Sequence, residues 1–217
     1  MKQTLENMQS YQSSIPRTQE KVYKGKILIV DDDIDVVNAM QEYLTACGYM
    51  AVACTSGKEA IEKLKSCEFE LMLTDLMMPE MNGVELLKHA REIDPHLMGI
   101  ILTGKGTLET TTEMMKEVAF LCSLKPFSFK IMQMILSCAL RKRRLRKLEE
   151  KYHLLTDKLA YDPEGLQNYN EETSTEELEL VELKREIDNL KEDSRCYEYL
   201  EKHWKQGNGY IDTAKGE

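Results

Sequence analysis

Lys26-Ile27-Leu28-Ile29-Val30-Asp31-Asp32-Asp33 is the stretch from which the fold can be read. Four consecutive apolar side chains, three of them β-branched, suit a strand buried on both faces, because a half-exposed strand would alternate apolar and polar residues. The run stops at three acids. Beyond them Val36, Val37, Met40, Tyr43, Leu44 and Cys47 recur at helical spacing, and Gly48 supplies a natural helix stop. A buried strand followed by an amphipathic helix is half of a βαβ unit.

Working outward, the unit repeats. Tyr49 to Cys54 reads as a strand, Ser56 caps a helix through Leu64, and Leu71 to Thr74 is a second buried run ending at Asp75. After Met77-Met78-Pro79-Glu80-Met81-Asn82-Gly83 a helix carries Val84, Leu86, Leu87 and Ala90. Leu97 to Leu102 gives a fourth strand, Thr107 to Val118 a helix, and Ala119 to Leu124 a short fifth strand before Pro126. Strands alternating with helices imply a parallel sheet covered on both faces, since parallel neighbours need right-handed crossovers. The expected class is α/β, a five-stranded parallel doubly wound (flavodoxin-like) sandwich followed by an α-helical, coiled-coil extension.

The rest of the chain is of another character. Residues 161–217 carry 16 acidic and 7 basic side chains, so the formal charge of -9 belongs to the C-terminal segment, and the preceding residues balance. Such a segment repels phosphate backbones and anionic membrane surfaces. The six cysteines lie far apart, without CxxC or His/Cys ligand spacing, and read as reduced thiols. Residues 1–24 are polar, without the apolar run of a signal peptide, and no uninterrupted apolar stretch is long enough to span a membrane. These features give the expectation of a cytoplasmic protein with no membrane partner.

Ligands of doubly wound sheets bind where the strands' carboxyl ends converge. Asp31 and Asp32 follow the first strand, Asp75 the third, Thr103 the fourth and Lys125 the fifth. Crowded carboxylates repel unless a hard divalent cation neutralises them, and an open, partly hydrated site suits Mg²⁺. Lys125 and the Thr103 hydroxyl can serve the oxygens of a second anion, which leaves one carboxylate facing an electrophilic phosphorus.

VDDD at 30–33, TDLMMPEMNG at 74–83, LTGKG at 102–106 and LKPF at 124–127 resemble, in order and interval, the motifs of two-component receiver domains. The resemblance covers about residues 26–140, and TGKGTLET at 103–110 is similar to receivers of the nitrogen-regulator type. It implies that Asp75 is the phosphoacceptor, that Asp32 binds Mg²⁺ directly and Asp31 largely through water, and that the Met77 carbonyl completes the metal's ligands. It further implies that Thr103 follows the phosphoryl group and that Lys125, before a cis bond to Pro126, contacts it. The expected role is a response regulator that takes its phosphoryl group from a sensor histidine kinase or a histidine phosphotransfer protein. It would not be an enzyme, catalysing only its own phosphorylation and dephosphorylation. One position departs from the family: Cys122 stands where receivers usually carry an aromatic or histidine ring, with Phe120 two residues earlier as a substitute.

The expected organisation is a flexible leader (1–24), a receiver (25–140), a helical coiled-coil extension (141–160), a linker (161–175), a second helix (176–205) and a disordered tail (206–217). Leu145, Leu148, Tyr152, Leu155 and Leu159 form one heptad seam, and Leu180, Leu183, Ile187 and Leu190 another. Opposite charge favours a hairpin of the two helices, while pairing between copies would give a homodimer. Without a phosphate loop or a helix-turn-helix pattern, output is expected through contacts with a downstream protein. Two alternatives stay open: a phosphorelay intermediate or phosphate sink, and a DNA-binding regulator acting through the basic run 141–147.

Overall fold

The computed structural model describes residues 22–104, 119–125, 129–160 and 175–192. Most of the expected leader, the helix expected at 107–118, Pro126, the linker, the distal part of the second helix and the tail lie outside the described residues.

Five strands form one parallel sheet: β1 (Lys26–Val30), β2 (Met50–Cys54), β3 (Leu71–Asp75), β4 (Met98–Thr103) and β5 (Leu121–Leu124). Their spatial order is β2-β1-β3-β4-β5, the expected doubly wound arrangement. Connections leave β1 toward β2 and β3 toward β4, so the winding reverses between β1 and β3 and a crevice opens at their carboxyl ends. The register pairs Val30 with Thr74, bringing Asp31 and Asp75 out at the same edge.

Helices cover both faces. On one side α1 (Ile34–Ala46) and the proximal part of α4 (Phe129–Ala160) enclose a core of Ile27, Ile29, Val37, Leu44, Leu73, Ile100, Ile135 and Leu136. On the other, α2 (Gly57–Ser66) and α3 (Gly83–Ile93) bury Leu28, Val30, Ala60, Met72, Leu87, Ile101 and Cys122. Helices α1, α2 and α3 each start where a side-chain oxygen satisfies orphan backbone donors: Asp33 accepts from Asp35 and Val36, Ser56 from Glu59, and Asn82 forms a reciprocal capping box with Glu85. Gly48, at φ +90°, ends the first helical unit in a conformation costly for any side chain.

Helix α4 is continuous over 32 residues, about 48 Å at 1.5 Å per residue, so it leaves the sandwich without a break at residue 141. Its distal half packs against α5 (Thr175–Glu192), burying Leu183 and Ile187. Pairing of Arg144 with Glu186, Lys151 with Glu179 and Lys158 with Glu176 shows the two helices to be antiparallel. The hairpin suggested by charge therefore forms within one chain. No helix among the described residues is long and apolar enough to cross a membrane.

Cys47, Cys54, Cys67 and Cys122 are free thiols, whereas Cys138 is disulfide-bonded. The expectation of reduced thiols throughout thus fails at Cys138. Wide spacing along the chain says nothing about which sulfurs meet in space.

Candidate functional site

The site is assembled from backbone that the sheet holds in place. Beyond β1 the chain turns, and the Asp33 backbone N–H donates to Asp31 Oδ1 at 3.1 Å, fixing a carboxylate that is only 4% exposed. Beyond β3 the Met77 N–H donates to Asp75 Oδ2 at 2.6 Å. Leu76 N–H is anchored to the Leu102 carbonyl at 3.1 Å, and Lys125 N–H to the Thr103 carbonyl at 2.7 Å. The two backbone bonds tie together the carboxyl ends of the neighbouring strands β3, β4 and β5.

Lys125 then joins them. Its Nζ lies 2.6 Å from Asp31 Oδ2 and 2.6 Å from Asp75 Oδ1. Burial pushes the Lys125 pKa down, but hydrogen bonds and attraction from both carboxylates outweigh it, so the ammonium is held protonated above its ordinary value. One ammonium between two carboxylates leaves the cluster with net negative charge, ready for further cationic neutralisation.

Of the residues singled out in the sequence, Asp31, Asp75 and Lys125 are in direct contact. Asp32 is exposed at the mouth and Met77 is 62% exposed beside it. Thr103 is fully buried at the end of β4, its hydroxyl donating to the Gly104 carbonyl at 3.3 Å. Asp33 separates from its acidic neighbours by serving as the cap of α1.

All the oxygen donors here, the carboxylates of Asp31, Asp32 and Asp75 and the Met77 carbonyl, are hard ligands. Among the described residues no three ligating side chains form a closed cage. A Mg²⁺ ion at this edge would therefore rest on few carboxylates, with the Met77 carbonyl and water filling the rest of its shell.

Gly83 was part of a motif in the sequence, but its physical role emerges only here. A Cβ on it would stand 2.2 Å from the Asp75 carbonyl oxygen, and its N–H donates to Leu76 O at 3.0 Å. The first residue of α3 thus packs directly on the backbone that presents Asp75.

The family model for the response regulator receiver domain matches residues 27–136. The chain belongs to the response regulator receiver family. The receiver is 36% identical over 119 residues to the transcriptional regulatory protein ZraR of Klebsiella oxytoca, covering 55% of this chain and 27% of that protein. It is 34% identical over 103 residues to the chemotaxis protein CheY of Thermotoga maritima, covering 47% of this chain and 86% of that one. Among solved structures, a response regulator receiver domain protein from Clostridium thermocellum is 30% identical, with a TM-score of 0.50 over 57% of this chain and 96% of that one. A CheY-like receiver from Methanospirillum hungatei is 28% identical, with a TM-score of 0.52 over 55% and 96%. The chain therefore spans about a quarter of the ZraR relative and nearly all of the single-domain receivers.

The departure at Cys122 has a clear structural setting. Its side chain is fully buried on the α2/α3 face, and burial pushes the thiol up to about 12. A thiol so protonated is a packing group rather than a nucleophile. Phe120 does not replace the missing ring, because it packs against the opposite core, beside α1 and α4. It precedes the first residue of β5, so strand alternation does not carry it to the face of Cys122.

Proposed function

We propose that the receiver accepts a phosphoryl group on Asp75 from the phosphohistidine of a sensor kinase or phosphotransfer protein, and signals through its helical hairpin to a protein partner. The observation that carries this reading is Lys125 Nζ at 2.6 Å from both Asp31 and Asp75, at the point where the sheet reverses its winding. An Asp75 carboxylate oxygen attacks phosphorus, the phosphorus–nitrogen bond breaks, and the leaving imidazole takes a proton as the acyl phosphate forms. Mg²⁺, held by Asp31, Asp32, Asp75 and the Met77 carbonyl, would supply charge neutralisation for the phosphoryl oxygens. Lys125 exchanges a carboxylate partner for a phosphoryl oxygen, and Thr103 offers its hydroxyl to another. The Met77 N–H holds the acceptor carboxylate in one orientation throughout.

Output by protein contact is supported by what the basic run does. Arg143 is buried and pairs with Asp94 at 2.8 Å, and Arg144 pairs with Glu186 of α5. Two of the charges that a DNA backbone would need already have partners within the chain, Arg143 in the interior and Arg144 at the surface, and acidic α5 lies alongside. The name of the ZraR relative speaks of transcriptional regulation, but the similarity reaches only its receiver.

The test is incubation with a small-molecule phosphodonor and Mg²⁺. Wild-type protein should gain a hydroxylamine-labile phosphate and Asp75→Asn should not, because the amide keeps the shape and loses the nucleophilic oxygen. Equal labelling of the two proteins would remove Asp75 from the acceptor role.

A further inference from the structure

Of the six cysteines, Cys138 alone among the described residues is disulfide-bonded, while Cys47, Cys54, Cys67 and Cys122 are free. A disulfide needs a second cysteine, and elimination within the chain leaves Cys196, which lies outside the described residues. The register of the hairpin points to the same place. Arg144 pairs with Glu186, and Glu149 with Lys191, on antiparallel helices. Cys138 stands six residues before Arg144 and eleven before Glu149, so its counterpart along the same register falls between six beyond Glu186 and eleven beyond Lys191, within 192–202. Leu190, near the described end of α5, already shares a cleft with Ser137 and Leu140, which flank Cys138.

Cys138 is placed where a cross-link has consequences. It is 2% exposed, in the core that α4 shares with β1, β3 and β4, beside Ile135, Leu136 and Ala139. A bond from it ties the chain beyond α5 to the receiver's own interior. Otherwise α5 is held mainly by Leu183 and Ile187 and by ion pairs whose side chains are largely exposed, and exposed pairs contribute little. A covalent tie across so long a loop sharply restricts the open hairpin. Two of the other thiols do not compete as nucleophiles, because burial pushes Cys54 and Cys122 up to about 12 and keeps both protonated at neutral pH.

We propose that Cys138 is bonded to Cys196 and that this bond is a redox latch on the hairpin, fastened when oxidised and released when reduced. A thiol reductant attacks one of the two sulfurs and displaces the other as a thiolate, which takes up a proton; a second thiol molecule then resolves the mixed disulfide. Two cysteine thiols and one oxidised reductant result, and the reverse exchange closes the latch. The latch is independent of the phosphoryl chemistry at Asp75; only its effect on a protein partner rests on the reading above.

The full chain is equilibrated in oxidised or reduced glutathione, without phosphodonor, so the acceptor role of Asp75 does not enter. Mass mapping of the oxidised protein after digestion under non-reducing conditions should give a peptide pair joining positions 138 and 196. Hydrogen exchange across 175–192 should quicken roughly a hundredfold on reduction, the scale of a disulfide that closes a long loop, with exchange across 26–75 unchanged. Cys196→Ser should exchange fast in either buffer, and Cys138→Ala, which keeps a small apolar group in the core, should match it. A bridge from Cys138 to Cys47, a bridge between two copies of the chain, or two free thiols in the oxidising buffer would overturn the assignment. Equal exchange of 175–192 in the two buffers would overturn the latch.

Discussion

Replacing Lys125 by Met keeps the length of the side chain and removes its charge, which sets Asp31 and Asp75 against each other. Their oxygens each lie 2.6 Å from Nζ, so they are at most about 5.2 Å apart, twice that distance. At an effective dielectric near 20 that separation corresponds to roughly 3 kcal/mol of repulsion. Asp31 is buried, but the lysine side chain is 28% exposed, so water entering the variant relieves part of it. We expect a loss of about 2–3 kcal/mol, somewhat below the usual penalty for breaking a fully buried pair. For a receiver of this size the midpoint should fall by about 10 °C in EDTA. Mg²⁺ supplies the missing positive charge, so it should raise the midpoint of the variant more than that of the wild type. Thermal unfolding followed by circular dichroism, with and without Mg²⁺, reads both quantities. Equal midpoints in EDTA would refute the claim that the ammonium holds two mutually repelling carboxylates together. Equal gains from Mg²⁺ would refute competition between lysine and metal for the same oxygens.

Gly83→Ala should slow phosphorylation by a small phosphodonor and lower the midpoint, because its Cβ would meet the Asp75 carbonyl oxygen at 2.2 Å and displace the acceptor loop; phosphorylation at the wild-type rate would show that the loop gives way without consequence. Asp94→Asn tests the clamp between receiver and extension. Burial pushes the Asp94 carboxyl up, but Arg143, the His96 N–H and Lys147 together hold it below its ordinary value. A depressed folded pKa stabilises at neutral pH and loses that contribution as pH falls through it, so the gap between wild type and Asp94→Asn should be widest near pH 7 and close below about pH 4; a gap independent of pH would show that ionisation of Asp94 contributes nothing. Ile187→Ala removes one of the two side chains that α5 buries most deeply and should cost about 2–4 kcal/mol of local hairpin stability, seen as faster hydrogen exchange across 175–192 with the receiver unchanged. Unchanged exchange in α5 would show that its ion pairs alone hold the hairpin.

What the sequence discloses about this molecule follows from the range of the interactions involved. Buried parallel strands leave uninterrupted apolar runs, so β1, β3 and β4 are legible, and the topology then brings Asp31, Asp75 and Lys125 to one edge without any further information. The division of labour inside Asp31-Asp32-Asp33 is not legible, because capping and site formation both select acids; only the backbone path sends Asp31 inward and Asp33 to the N-terminus of α1. Phe120 misleads for a similar reason, since a period of two holds within a strand and β5 begins one residue later. Arg143 is hidden in a run of basic residues that reads as a solvated face. Its burial depends on α4 passing Asp94 and His96, with Glu150 reaching His96 at 2.7 Å, and those contacts join residues more than 45 positions apart. The extension is thus fastened to the receiver by polar groups that a heptad pattern does not register. Apolar seams decide that α4 and α5 pair, while the buried arginine decides where on the receiver their root is held, at the edge away from Asp75. The proximal half of α4 shares a core with the strands that carry the site, so among the described residues α4 is a continuous physical link between the Asp75 edge and the hairpin.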